Sequence, residues 1–138
     1  MKERVGFTGT RKGMTDEQRT VFTGWIANMD PYEFHDGDCD GSDEEAHNIV
    51  RKKLPLCRMI GHPPNKDKHR AGCKYDMNYM PRPYLERNKD IVDDVDFMVA
   101  TPDTMKEKER GGTWYTIRYA RKQDRKLTII YPDGTIGE

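Results

Sequence analysis

The stretch from Phe34 to Leu54, FHDGDCDGSDEEAHNIVRKKL, constrains the fold more than any other part of the chain. It leaves an apolar run, turns through Gly37 and Gly41, and closes as an amphipathic helix. Ser42 and Glu45 have the Ser-x-x-Glu spacing of a capping box, which predicts a helix starting at Asp43. Ala46, Ile49, Val50 and Leu54 then share one helical face, and Pro55 bars continuation. Strand, glycine turn and helix N-terminus in series present backbone N–H groups to a phosphate or carboxylate. Asp36, Asp38, Asp40 and Gly41 also match the first half of an EF-hand calcium loop. Position 12 of that loop must be a bidentate carboxylate, and here it is His47, so the turn reading is preferred.

The same pattern recurs along the chain. Arg4 to Thr8 reads as a short buried strand that breaks at Gly9 into the loop TGTRKG, ending at Gly13. Thr15 and Gln18 form a second capping box, and Phe22, Trp25, Ile26 and Met29 make an apolar stripe. Tyr32 to His35 is the second strand and Leu56 to Ile60 the third. From Gly61 to Pro83 no period survives, and four prolines mark a loop-rich insertion. Tyr84 to about Val92 predicts a helix and Phe97 to Ala100 a fourth strand. Gly111-Gly112-Thr113 opens a helix with Trp114, Ile117 and Arg121 on one face, and Leu127 to Tyr131 is the fifth strand.

Alternating strands and helices imply one α/β domain over residues 1–138, a small Rossmann-like doubly wound parallel sheet. Right-handed crossovers give five strands in the order 3-2-1-4-5. The loops Thr8–Gly13, Gly37–Ser42 and Gly111–Thr113 then converge on one end of the sheet, each using Gly for positive φ. Hydrophobic residues make up only 34% of the 138, a thin core for which a homodimer interface is expected to compensate. Lys plus Arg equals Asp plus Glu at 24 each, so no net field draws the chain to nucleic acid. No apolar run of about 18 residues or secretory signal is present, and three unclustered cysteines fit a reduced cytoplasmic setting.

Thr8, Gly9, Thr10, Arg11, Gly37, Asp38, Gly41, Ser42, Asp43, Gly111, Gly112 and Thr113 are the candidate ligand-binding residues. Thr and Ser offer short donors at helix N-termini, and Arg11 could grip a phosphate bidentately. Asp38, Asp40, Asp43, Glu44 and Glu45 form a solvated acidic turn, from which one carboxylate could meet a ribose hydroxyl or hold Mg²⁺. No cofactor is required and no metal site is assigned. Cys57, His62, His69 and Cys73 lack the tight paired spacing of structural zinc ligands, and His62 alternatively faces the ligand or plays a structural part. Cys39 has no adjacent base to make it a nucleophile. Trp114 reads as core, whereas Tyr115 is open between core and base stacking.

Four motifs in this order resemble the SLOG superfamily, which includes the DNA-processing protein A (Smf) core and the Lonely Guy cytokinin-activating enzymes. They are GFTGTR after the first strand, GDCDGSDEEAH after the second, YLERN before the fourth and RGGTWYTIRYA before the fifth. Gly37, Gly41, Asp43, Ala46 and His47 fall on the fixed positions of the Smf pattern G-x-A-x-G-x-D-x-x-A-H. Gly112, Thr113, Thr116, Arg118 and Ala120 are in step with its phosphate loop, and Arg87 resembles the arginine preceding the fourth strand. The resemblance implies a nucleotide or nucleotide-derived ligand, sensed or sequestered, with Arg87 among its contacts. Lonely Guy enzymes cleave an N-glycosidic bond with an arginine and the glutamate of P-G-G-x-G-T-x-x-E. No carboxylate stands between Gly111 and Arg118 here, so glycosidase chemistry would need Arg87 with a displaced acid such as Asp43 or Glu86. Smf proteins bind single-stranded DNA through a basic surface, which this neutral chain lacks, so single-stranded nucleic-acid binding stands as a third and weaker reading.

Overall fold

The computed structural model of the chain describes residues 2–138. Strand β1 (Arg4–Gly9) leads through a loop to α1 (Asp16–Met29), and β2 (Glu33–Asp36) leads to α2 (Ser42–Lys53). Then follow β3 (Arg58–Gly61), β4 (Met77–Asn78), α3 (Tyr84–Asp94), β5 (Phe97–Thr101), α4 (Gly112–Lys122), β6 (Lys126–Ile130) and β7 (Ile136–Gly137). The sheet runs β4-β3-β2-β1-β5-β6-β7 and is parallel except for β7. Its seven strands depart from the five expected, because two-residue β4 and β7 extend opposite edges; between them the order is β3-β2-β1-β5-β6. Neither added strand is long enough to carry an alternating pattern.

The two faces of the sheet hold separate cores. Phe7, Phe22, Phe34, Val50, Met59 and Val99 pack under α1 and α2, with the Phe7 and Phe22 rings edge to face at 5.4 Å. Ile91, Val92, Met98, Trp114, Ile117 and Ile129 pack under α3 and α4. Alternation within β5 feeds both, Val99 to one face and Met98 and Ala100 to the other. On α4, Trp114 and Ile117 are buried as expected, but Arg121 is exposed and Ala120 completes the stripe. No helix among the described residues is long and apolar enough to cross a membrane.

Two local expectations met different outcomes. Thr15 and Gln18 form a reciprocal capping box at α1. Ser42 and Glu45 do not cap α2: its N-cap is Gly41, and Ser42 is already helical. The Ser42 hydroxyl donates to the Thr10 carbonyl at 2.6 Å, while Glu45 accepts from Met14 N–H at 2.6 Å and Arg19 at 3.1 Å. Partners across the loop after β1 outcompete the local cap.

The segment from Gly61 to Pro83 is a strap with its own strand, not a structureless loop. Asp38 ties it down: its carboxylate accepts from Cys73 N–H at 2.9 Å and Arg70 Nε at 3.2 Å. The Asp38 carbonyl accepts from Ala71 N–H at 2.8 Å, and Cys39 bridges Arg70. Asp36 anchors the strap from beneath, accepting from the Tyr75 hydroxyl and from His47 Nδ1 at 3.1 Å.

Candidate ligand cavity at the C-terminal edge of the sheet

The loops after β1 and β2 and the N-terminus of α4 surround a cavity of about 420 Å³. That lies within the range of about 300–1,000 Å³ usual for small-molecule sites. Its lining includes Thr8, Gly9, Thr10, Arg11, Gly37, Asp43, Arg87, Gly111, Gly112 and Thr113. Four sequence candidates lie outside it. Asp38 faces the strap, Gly41 packs against the Arg11 backbone, Ser42 holds the Thr10 carbonyl, and Glu86 is exposed. Lys12, Cys39, Tyr84, Leu85, Asn88, Asp103, Lys108 and Trp114 also line the cavity. Tyr84 and Asn88 flank Arg87 on the first turns of α3, a signal available in YLERN; Asp103 and Lys108 sit in a charged linker without a pattern.

Arg87 is the cavity's buried charge, only 4% exposed. Its Nη1 donates to the carbonyls of Gly37 and, at 2.8 Å, His62, and its Nε to Asn88 Oδ1 at 2.8 Å. Its Nη2 donates to the Cys39 thiol at 3.5 Å, a weak acceptor. No carboxylate among the described residues forms an ion pair with it, and Tyr84 lies with its ring centroid 5.2 Å from the guanidinium carbon. Arg11, exposed at the rim, is equally without an ion pair among the described residues, while Lys12 and Lys108 share Asp103 at 3.3 and 3.0 Å.

Asp43 enters from the first turn of α2 and accepts from the Cys39 N–H at 3.3 Å. Burial first, and the neighbouring Asp36 carboxylate second, push its pKa up to about 7 against the opposing pull of Arg87. Burial and Asp43 likewise hold the Cys39 thiol above its usual range, although Arg87 and Tyr84 pull it down. That argues against a resting thiolate nucleophile.

The glycines serve two different needs. Gly111 caps α4 at φ 106°, which a side chain would strain, whereas Gly37 and Gly112 do not have positive φ. At Gly37 the need is space: a Cβ there would lie 2.6 Å from the Arg87 guanidinium carbon and 2.9 Å from Asp43 Oδ2. Gly111 gives α4 no side-chain cap, and no acidic residue stands in its first turn. Its first N–H groups thus present the positive end of the helix dipole at the cavity rim.

His62 does not face the cavity; its ring packs on His35 and on Tyr79. The set Cys57, His62, His69 and Cys73 is not assembled, nor do the acidic residues of the β2–α2 turn converge as a metal site, among the described residues. Cys57 bonds the Arg58 carbonyl, and His69 lies 3.5 Å from Asp40.

No protein-family model matches this chain, and no curated protein matches it. Solved structures do. The molybdenum cofactor binding protein from the phototrophic bacterium Rippkaea orientalis matches with a TM-score of 0.72 at 19% identity, over 95% of this chain and 77% of that one. The Moco carrier protein from Chlamydomonas reinhardtii matches with a TM-score of 0.63 at 17% identity, over 94% and 76%. The structural-genomics protein TM1055 matches with a TM-score of 0.67 at 17% identity, over 92% and 72%. At these identities the likeness establishes the fold: the chain shares with these proteins a Rossmann-like α/β architecture, of the class that the SLOG resemblance implies.

Proposed function

We propose that the cavity binds a phosphate-bearing heterocycle of nucleotide size and does not turn it over. The observation that carries this reading is the buried Arg87 guanidinium, which meets carbonyls, an amide and a thiol but no anion. A buried charge with no ion-paired partner is costly, the nearby Asp43 carboxyl is itself held toward its neutral form, and a ligand phosphate would supply the missing anion. Arg11 at the rim and the uncapped N-terminus of α4 favour the same charge. Thr8, Thr10 and Thr113 offer hydroxyl donors, and Tyr84 offers an aromatic face. Two of the similar structures bear the names of molybdenum cofactor proteins, so that cofactor belongs in the ligand panel beside nucleotides.

A second reading, N-glycosidic cleavage, draws on Asp43. Its carboxyl, pushed up to about 7, lies in the range useful for acid–base work and lines the same cavity as Arg87. Exposed Glu86 is not placed for that role. Binding without turnover is favoured because nothing in the first turn of α4 is acidic.

One experiment addresses both readings. Nucleoside monophosphates and the matching nucleosides are titrated calorimetrically, and each mixture is held overnight and chromatographed for free base. The expected result is tighter binding of the phosphorylated ligand and no base release. Equal affinity with and without phosphate would refute the phosphate site. Multiple turnover abolished by both Arg87→Ala and Asp43→Asn would establish the glycosidase instead.

A further inference from the structure

A second constellation lies outside the cavity, where α3 ends above β2 and β3. His35 pairs in register with Gly6 of β1. A Cβ on Gly6 would meet Ile91 of α3 and Val95, which caps that helix, so His35 shares the face covered by it. His62 follows β3, and Asp94 is the last residue of α3. His35 Nδ1 lies 2.8 Å from His62 Nε2 and 3.7 Å from Asp94 Oδ2, and the three donor atoms all fall within 4.8 Å of one another. Both imidazoles are buried, whereas the Asp94 side chain is 37% exposed.

From this arrangement we propose a divalent metal site of the Zn²⁺ class, with His35 Nδ1, His62 Nε2 and an Asp94 carboxylate oxygen as ligands. The surroundings are those of a built site. His35 Nε2 donates to Glu33 Oε1 at 2.9 Å, which fixes the tautomer and leaves the Nδ1 lone pair facing His62 and Asp94. A carboxylate behind a ligating imidazole is the usual outer support of a metal-bound histidine. Arg58 steadies Glu33 at 3.5 Å, and the Tyr79 hydroxyl donates to Asp94 Oδ2. Imidazole and carboxylate together suit zinc better than magnesium or calcium.

The two donor separations from His35 Nδ1 bracket tetrahedral spacing. Zinc–ligand bonds of about 2.0–2.1 Å place neighbouring ligand atoms about 3.4 Å apart. The His–His contact of 2.8 Å opens slightly to accept the ion, while the His35–Asp94 separation of 3.7 Å closes. On binding, the His62 ring proton moves from Nε2 to Nδ1, so the two imidazoles remain neutral. The half-exposed Asp94 side leaves the fourth position to water. His62 also lends its carbonyl to Arg87, so an ion here would stiffen the wall of the ligand cavity.

The test uses tag-free full-length protein stripped with chelator, titrated with Zn²⁺ in a competition assay and with Co²⁺ by visible absorption. One Zn²⁺ per chain is expected, with a Co²⁺ spectrum of low coordination number. Asp94→Asn, at a half-exposed position that should tolerate the change, is expected to weaken Zn²⁺ binding at least ~10-fold. Glu33→Gln is expected to weaken it about 10–100-fold through the support of His35. His69→Asn, remote from the group, leaves it unchanged. No uptake at millimolar Zn²⁺, or an affinity indifferent to Asp94→Asn, overturns the site.

Discussion

Replacing Asp43 by Asn should stabilise this protein at pH 8 and do much less at pH 5. The usual carboxyl value of 3.8 rises to about 7 in the folded chain because burial and Asp36 disfavour the charge. Between those values the folded state keeps a proton that the unfolded chain releases. The resulting stability is fully present below 3.8 and is lost as pH rises through about 7. Each pH unit in that window is worth about 1.4 kcal/mol, so between pH 5 and pH 8 the wild-type protein loses about 3 kcal/mol through this group. Asn keeps the shape and an oxygen for the Cys39 N–H at 3.3 Å but cannot ionise. Urea unfolding of both proteins at the two pH values measures the difference, in which most other titrating groups cancel. An advantage for Asp43→Asn that grows by about 3 kcal/mol from pH 5 to pH 8 supports the reasoning. A pH-independent difference would refute it and would mean that Asp43 is ionised throughout.

Two further substitutions probe the cavity. Arg87→Met should weaken binding of the phosphate-bearing ligand by about 2–5 kcal/mol, or roughly 30- to 5,000-fold in Kd, as expected for one partner of a buried charge pair. Calorimetry reads this directly, and retained affinity would remove Arg87 from the site. Gly37→Ala should cost about 1–3 kcal/mol of stability, because the added methyl displaces the Arg87 guanidinium or Asp43. An unchanged urea midpoint would show that the wall yields more easily than its packing implies.

Much of this architecture was legible in the sequence because long elements carry a period. β1, β5 and β6 are apolar runs, and Thr15 with Gln18 marks the start of α1 in both sequence and structure. What escaped depends on contacts distant in sequence. Ser42 and Glu45 have capping-box spacing, yet Thr10, Met14 and Arg19 take their side chains. The 61–83 strap lacks any period because its order comes from Asp36 and Asp38, the second of which reads locally as part of an acidic turn. For the cavity, the glycine loops pointed to the end of the sheet where it opens, and Arg87 stood out only through its resemblance to a family motif. Asp103 and Lys108 reach the lining through tertiary placement that no local pattern encodes. His35 gave no sign of its meeting with His62, since they lie 27 residues apart on neighbouring strand ends.

The central claim, a phosphate-bearing ligand held at Arg87, is tested most directly by native mass spectrometry of the protein purified gently from cells. The bound species is then released, and its mass and phosphorus content are determined. The account predicts a discrete adduct of nucleotide-like mass that carries phosphate and is absent from Arg87→Met prepared in parallel. A phosphorus-free adduct, or one retained equally by Arg87→Met, would contradict it.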